Sequence, residues 1–148
     1  MLPGLKPVWI ICEDGTEYLD RFERFLGSRF HFVPALDGAA LLAALAQTAR
    51  GVILDLDFRR TPSDRLVDEY GRTGLAAPQE QRRQLASQQG ILLLRLLRAR
   101  GFATPVLLYA DLDDADQGAY LERTLAPLSI VPSHEGLLET AARMEAIG

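Results

Sequence analysis

The sequence predicts a single doubly wound α/β domain of (βα)5 type, with a five-stranded parallel sheet between layers of helices. Five short apolar runs of strand length recur along the chain: Val8–Cys12, Phe30–Val33, Gly51–Leu56, Pro105–Ala110 and Leu128–Val131. Segments of helical periodicity alternate with them, and strands joined through helices cross over right-handedly into a parallel sheet buried on both faces. A chain of 148 residues, 48% hydrophobic and 24% charged, is enough for one core, so the domain is expected to span 1–148.

The first run leads into a helix on which Tyr18, Leu19, Phe22, Phe25 and Leu26 share a face opposite Asp20, Glu23 and Arg24. Thr16 is placed to cap that helix and Gly27 to end it. After the second run, Leu41, Leu42 and Leu45 among alanines give a second helix, starting near Asp37 and finishing before Gly51. The third run is followed, after a long gap, by a helical region from Gln79 to Arg100, interrupted at Gly90 and stopped at Gly101. Asp116 to Leu125 and Leu137 to Ile147 supply the fourth and fifth helices.

The gap before Gln79 is an insertion. Residues 59–78, RRTPSDRLVDEYGRTGLAAP, separate the third strand from its helix, where about two to six residues are usual. It mixes Arg59, Arg60, Arg65 and Arg72 with Leu66, Val67 and Tyr70, a composition suited to protein recognition if it is not simply a flexible surface loop.

Bulk charge narrows the partners. A net charge of -4 and a pI near 5.2 give no overall positive field for nucleic acid or an acidic membrane. The arginines cluster locally at Arg59–Arg60, Arg82–Arg83 and Arg95/Arg98/Arg100, among acids or on a helix, and read as solvated faces or protein contacts. Cys12 is the only cysteine, which excludes an internal disulfide and a cysteine-based zinc site and fits a reducing, cytoplasmic setting. No secretion signal and no membrane-spanning apolar stretch is expected. His31 and His134 lack partners at metal-ligand spacing, and Cys12 reads as a buried core thiol.

In a doubly wound sheet, function is sought at the carboxyl ends of the strands, near the point where strand order reverses. The first strand runs into Glu13–Asp14, and the third ends in Asp55-Leu56-Asp57. Brought together, these carboxylates need a hard cation, a proton or a cationic side chain to offset them, and Mg²⁺ suits carboxylate and water oxygens. Glu13 and Asp14 are equally suited to capping the first helix, and Asp57 to a solvated loop position.

In order and spacing, these features resemble response-regulator receiver domains, the CheY-like group of flavodoxin-like (βα)5 folds. WIICEDG is similar to their first strand and acidic pair, GVILDLDF to their third strand, and GILLLRLLRARGFATPVLLYA to their third helix and fourth strand. The resemblance implies that Glu13 and Asp14 match the metal-binding acids, Asp55 the phospho-acceptor aspartate, and the Asp57 backbone carbonyl the third protein ligand of Mg²⁺. It also implies departures. The hydroxyl residue ending the fourth strand is replaced by Ala110, the lysine of the fifth strand by Val131, and the switch aromatic by Leu128. Lys6 is the only lysine in the chain, so no shift of alignment restores the missing ammonium.

The expectation is a degenerate receiver in two-component signalling: a non-enzymatic protein-protein interaction module without phosphorylation switching, with no required cofactor although Mg²⁺ can be accommodated. Its expected partner is another signalling protein, or a second copy through the face formed by the fourth helix, fifth strand and fifth helix, at about residues 116–147; neither nucleic acid nor membrane is expected. The interaction loop would present Arg59, Arg60, Arg65, Tyr70 and Arg72. Two alternatives stay open: a working receiver phosphorylated on Asp55 with Mg²⁺, and a haloacid-dehalogenase-like phosphatase using Asp55 and Asp57, with Asp113–Asp114 as its late acidic pair.

Overall fold

The computed structural model describes residues 5–73 and 78–147. Along these the chain forms β1 (Val8–Cys12), α1 (Glu17–Leu26), β2 (His31–Ala35), α2 (Gly38–Ala44), β3 (Gly51–Asp55), α3 (Gln79–Ser87), α4 (Gln89–Ala99), β4 (Val106–Tyr109), α5 (Ala115–Thr124), β5 (Leu128–Val131) and α6 (Leu137–Ala146). The strands make one parallel sheet in the order β2-β1-β3-β4-β5. Order therefore reverses between β1 and β3, which places the acidic ends of both strands at the switch point.

Alternate residues of each strand face opposite layers, as the pleat requires. Trp9, Ile11, Ile53, Leu107, Tyr109 and Val131 pack with Phe22 and Leu26 of α1 and with Ala141 and Met144 of α6. Ile10, Cys12, Val52, Leu54, Val106 and Leu108 pack against Leu41 of α2, the apolar side of α4 and Leu121 of α5. Both faces of the sheet are thus dry, which is why the strands read as unbroken apolar runs. Arg98 seals the far end of the second layer: its guanidinium donates to the carbonyls of Phe102, Thr104, Leu125 and Pro127 at 2.7 to 2.9 Å.

Several expectations are corrected. The helical region from Gln79 to Arg100 is two helices meeting at Gln88, so there are six helices rather than five among the described residues. The break lets α4 abut the end of β3, where Gly90 donates its N–H to the Leu56 carbonyl at 3.0 Å. A Cβ on Gly90 would lie 2.8 Å from the Leu56 Cα and overlap the Asp55 carbonyl, so only glycine fits. Asp37 caps α2 as expected, accepting from the Ala40 N–H at 2.8 Å. Thr16 does not cap α1; its hydroxyl donates to Asp20, and Phe25 of the expected apolar face is exposed.

The insertion is not a loose surface loop over the residues described. Leu66 and Val67 are buried in the core, as is Phe58 just before the insertion, and a single 3₁₀ turn at Ser63–Arg65 precedes the pair. The buried Gln89 side chain accepts from the Val67 N–H and donates to its carbonyl, both at 2.8 Å, pairing with the loop as a neighbouring strand would. Asp68 closes the tip by accepting from the N–H groups of Tyr70 and Arg72 and from the Arg72 guanidinium. Burial alone would raise the Asp68 pKa, but these bonds outweigh it and hold the carboxyl below the ordinary range. Residues 74–77 of the expected insertion lie outside the described residues.

Candidate functional site: the acidic pocket at the switch point

Glu13, Asp14 and Asp55 stand at the carboxyl ends of β1 and β3, on the same edge of the sheet, because Cys12 and Leu54 are in register. Their side chains are already engaged. Glu13 is only 3% exposed, and its two carboxylate oxygens accept from the N–H groups of Tyr18 and Leu19 at 3.1 and 2.9 Å. It is Glu13, not Thr16, that satisfies the open N–H groups of the first turn of α1. Burial raises its pKa against the pull of those two bonds.

Asp14 is held by an arginine from the insertion. Its side chain is 6% exposed; one oxygen takes the Arg60 guanidinium at 2.9 Å and the other the Arg60 backbone N–H at 2.8 Å. The same guanidinium forks onto both oxygens of Glu17, at 2.6 and 3.0 Å. That contact draws the Glu17 carboxyl down to about 2. Arg59 turns back onto Asp57, with its Nε 2.6 Å from one oxygen and its N–H 3.0 Å from the other.

Asp55 is the exception. One oxygen accepts from the Leu56 N–H at 2.9 Å. Burial, then the Asp14, Glu13 and Asp57 carboxylates, push its pKa up to about 6 against that bond, and among the described residues no cation offsets them.

Mg²⁺ needs several oxygens in near-octahedral array, and here it would compete with the N–H donors already on the oxygens of Glu13 and Asp14. Among the described residues no group of three or more His, Cys, Asp or Glu side chains is arranged to hold a metal ion. Cys12 is fully buried, and burial, reinforced by Asp37, Asp55 and Glu13, raises its thiol pKa far out of reactive range.

The positions of the missing switch parts are filled by packing. Ala110 is buried at the end of β4 and donates its N–H to the Val131 carbonyl. Val131 is 0% exposed, its side chain among Tyr109 and Met144 in the α1/α6 layer. Leu128 is half-buried at the start of β5. Lys6, just before β1, donates to the Gly27 carbonyl at 2.8 Å, at the opposite end of the sheet from Asp55.

Two side-chain links tie the neighbouring loops. Asp111, after β4, accepts from the N–H and the hydroxyl of Ser133, after β5; those bonds lower its pKa. The Tyr109 hydroxyl bonds Thr140 at 2.8 Å, and Thr140 donates to Glu135, which is paired with Arg143. Asp114 caps α5, accepting from the Asp116 N–H at 2.9 Å.

The candidate interaction residues are divided by the fold. Arg59 and Arg60 belong to the acidic pocket, while Tyr70 is 71% exposed at the insertion tip with the Arg72 guanidinium 5.2 Å over its ring. Arg65 lies exposed on the 3₁₀ turn. Sequence reasoning missed Gln89 and the pairing of Arg60 with Glu17; the only signal for the latter was a basic residue soon after β3, within reach of acids after β1.

No family model matches the sequence, and no curated protein matches it. Solved structures do. The receiver domain of a Francisella response regulator superposes with a TM-score of 0.67 at 14% identity, covering 96% of each chain. A BeF3-activated DrrB receiver domain gives 0.63 at 14% identity, covering 97% of each chain. An adenylate cyclase from Rhodopirellula baltica gives 0.63 at 13% identity, covering 96% of this chain and 87% of that one. The fold is that of receiver domains, as the order of the motifs led us to expect. No helix among the described residues is long and apolar enough to cross a membrane.

Proposed function

We propose that this receiver-fold chain is a cytoplasmic, non-enzymatic protein-binding module of a signalling pathway that works in one conformation, without phosphorylation switching. One observation carries the reading: the strand position expected to bring an ammonium to an acyl phosphate is Val131, packed into the core, while the only lysine lies at the other end of the sheet. Phosphoryl transfer rests on stabilising spread negative charge, and among the described residues the charged groups acting on Asp55 are the carboxylates of Asp14, Glu13 and Asp57. The Asp111–Ser133 link also ties the loops after β4 and β5 to each other.

The surface best suited to a partner is the tip of the insertion. It is fixed in place by Gln89 and Asp68, so little ordering is lost on binding, and it offers a stacked Tyr70–Arg72 pair, residue types common as interface anchors. Incubation with acetyl phosphate and Mg²⁺, followed by intact mass measurement, tests the reading. No phosphoryl adduct is expected, whereas an adduct lost in Asp55→Asn would overturn it. The one feature favouring a phosphorylated receiver is Asp55 itself, at the end of β3 with one oxygen unspent.

A further inference from the structure

The acids of the pocket are costly to bury without compensation, and this chain supplies the compensation itself. The Asp14 side chain is nearly inaccessible, and an unpaired carboxylate there would be costly. We propose that Arg60 is the resident cation of this pocket: clamped between Asp14 and Glu17 above Gly15, it takes the charge-balancing place of a divalent ion and keeps such an ion out.

Three features of the geometry support this. The guanidinium reaches three carboxylate oxygens at once, at 2.9 Å on Asp14 and at 2.6 and 3.0 Å on Glu17, the forked arrangement that arginine makes best. The tether is short and rigid. Phe58, two residues earlier, is fully buried with its N–H 2.8 Å from the Ala86 carbonyl, and the Arg60 N–H itself is bonded to Asp14. Gly15 leaves the space: a Cβ there would run into both terminal nitrogens of Arg60 and into a Glu17 oxygen. Because those atoms are side-chain ends and Gly15 has no left-handed backbone, an alanine would displace the guanidinium without breaking the loop.

The inference goes beyond the binding-module reading, since a pocket closed to metal and a silent Asp55 are separate properties. Mn²⁺ binding by the original chain with Asp55 still refusing a phosphoryl group would sink the former and leave the latter standing. The test is Mn²⁺ binding by the full chain, followed through the electron paramagnetic resonance signal of the free ion. The original chain is expected to leave that signal undiminished. Arg60→Gln, which removes the cation, and Gly15→Ala, which keeps every charge but evicts the guanidinium, are each expected to bind at least about tenfold more tightly. A thermal melt on each variant identifies the folded fraction over which binding is counted. Binding by the original chain as tight as by the variants would overturn the proposal, and so would variants that bind no more than the original chain.

Discussion

Replacing Asp55 by asparagine should stabilise the domain at neutral pH and do nothing in acid. Asp55 sits half-buried among the carboxylates of Asp14, Glu13 and Asp57, and its pKa is raised from 3.8 to about 6. The folded state therefore holds a proton that the unfolded chain has released, so stability falls as pH rises from about 4 to about 6. At about 1.4 kcal/mol per unit the full shift is worth about 3 kcal/mol, and about half of that survives solvent screening of a partly exposed group. Asparagine keeps an oxygen for the Leu56 N–H while removing the charge. Asp55→Asn is thus expected to gain about 1.5 kcal/mol at pH 7, or about 3–6 °C in melting temperature, and to lose the gain near pH 4. Urea unfolding of both proteins across that range measures the difference directly. Because Glu13 is also raised, the difference between the two curves is informative rather than either curve alone. A variant less stable at pH 7, or a difference that does not change with pH, would refute the reasoning.

Other perturbations probe the frame around the pocket. Gly90→Ala drives a methyl into the Asp55 carbonyl and should cost about 3 kcal/mol in chemical unfolding, with no compensating rotamer available. Gln89→Leu strands the buried N–H and carbonyl of Val67; it should lower stability by about 2–4 kcal/mol and speed hydrogen exchange at Val67 before the rest of the core. Arg98→Lys cannot reach four carbonyls with one ammonium and should cost about 2 kcal/mol by thermal unfolding. If the insertion tip is the binding surface, Tyr70→Ala should weaken partner capture about tenfold or more with the melting temperature unchanged, since the ring is exposed.

The fold was legible because its strands are buried on both faces: nothing but apolar residues fits between Val52 and Leu54 or Val106 and Leu108, and the gaps between runs have helical spacing. Asp37 and Gly101 punctuated two helices in the way their chemistry requires, one through its side-chain cap and the other through a left-handed backbone. What the sequence hid is tertiary. Leu66 and Val67 look like recognition residues in a polar loop, yet they are core, and only the amide of Gln89, twenty-two residues on from Val67, explains how that segment lies down. Gly90 looked like an interruption in one helix because the backbone it must clear belongs to a distant strand. The acids after β1 and β3 were visible as a pair of clusters; that two successive arginines answer them could not be read from spacing, since Arg60 reaches Glu17 across forty-three positions of chain.

The central claim is that this receiver fold rests in one conformation because the parts that would read a phosphoryl group at Asp55 are absent. The most direct measurement is the amide nuclear magnetic resonance spectrum of the full chain with beryllofluoride and Mg²⁺, which together mimic an acyl phosphate on such an aspartate. The account predicts unmoved resonances at Asp55, Ala110, Asp111 and Val131. A second, slowly exchanging set of peaks running from Asp55 into the loops after β4 and β5 would contradict it.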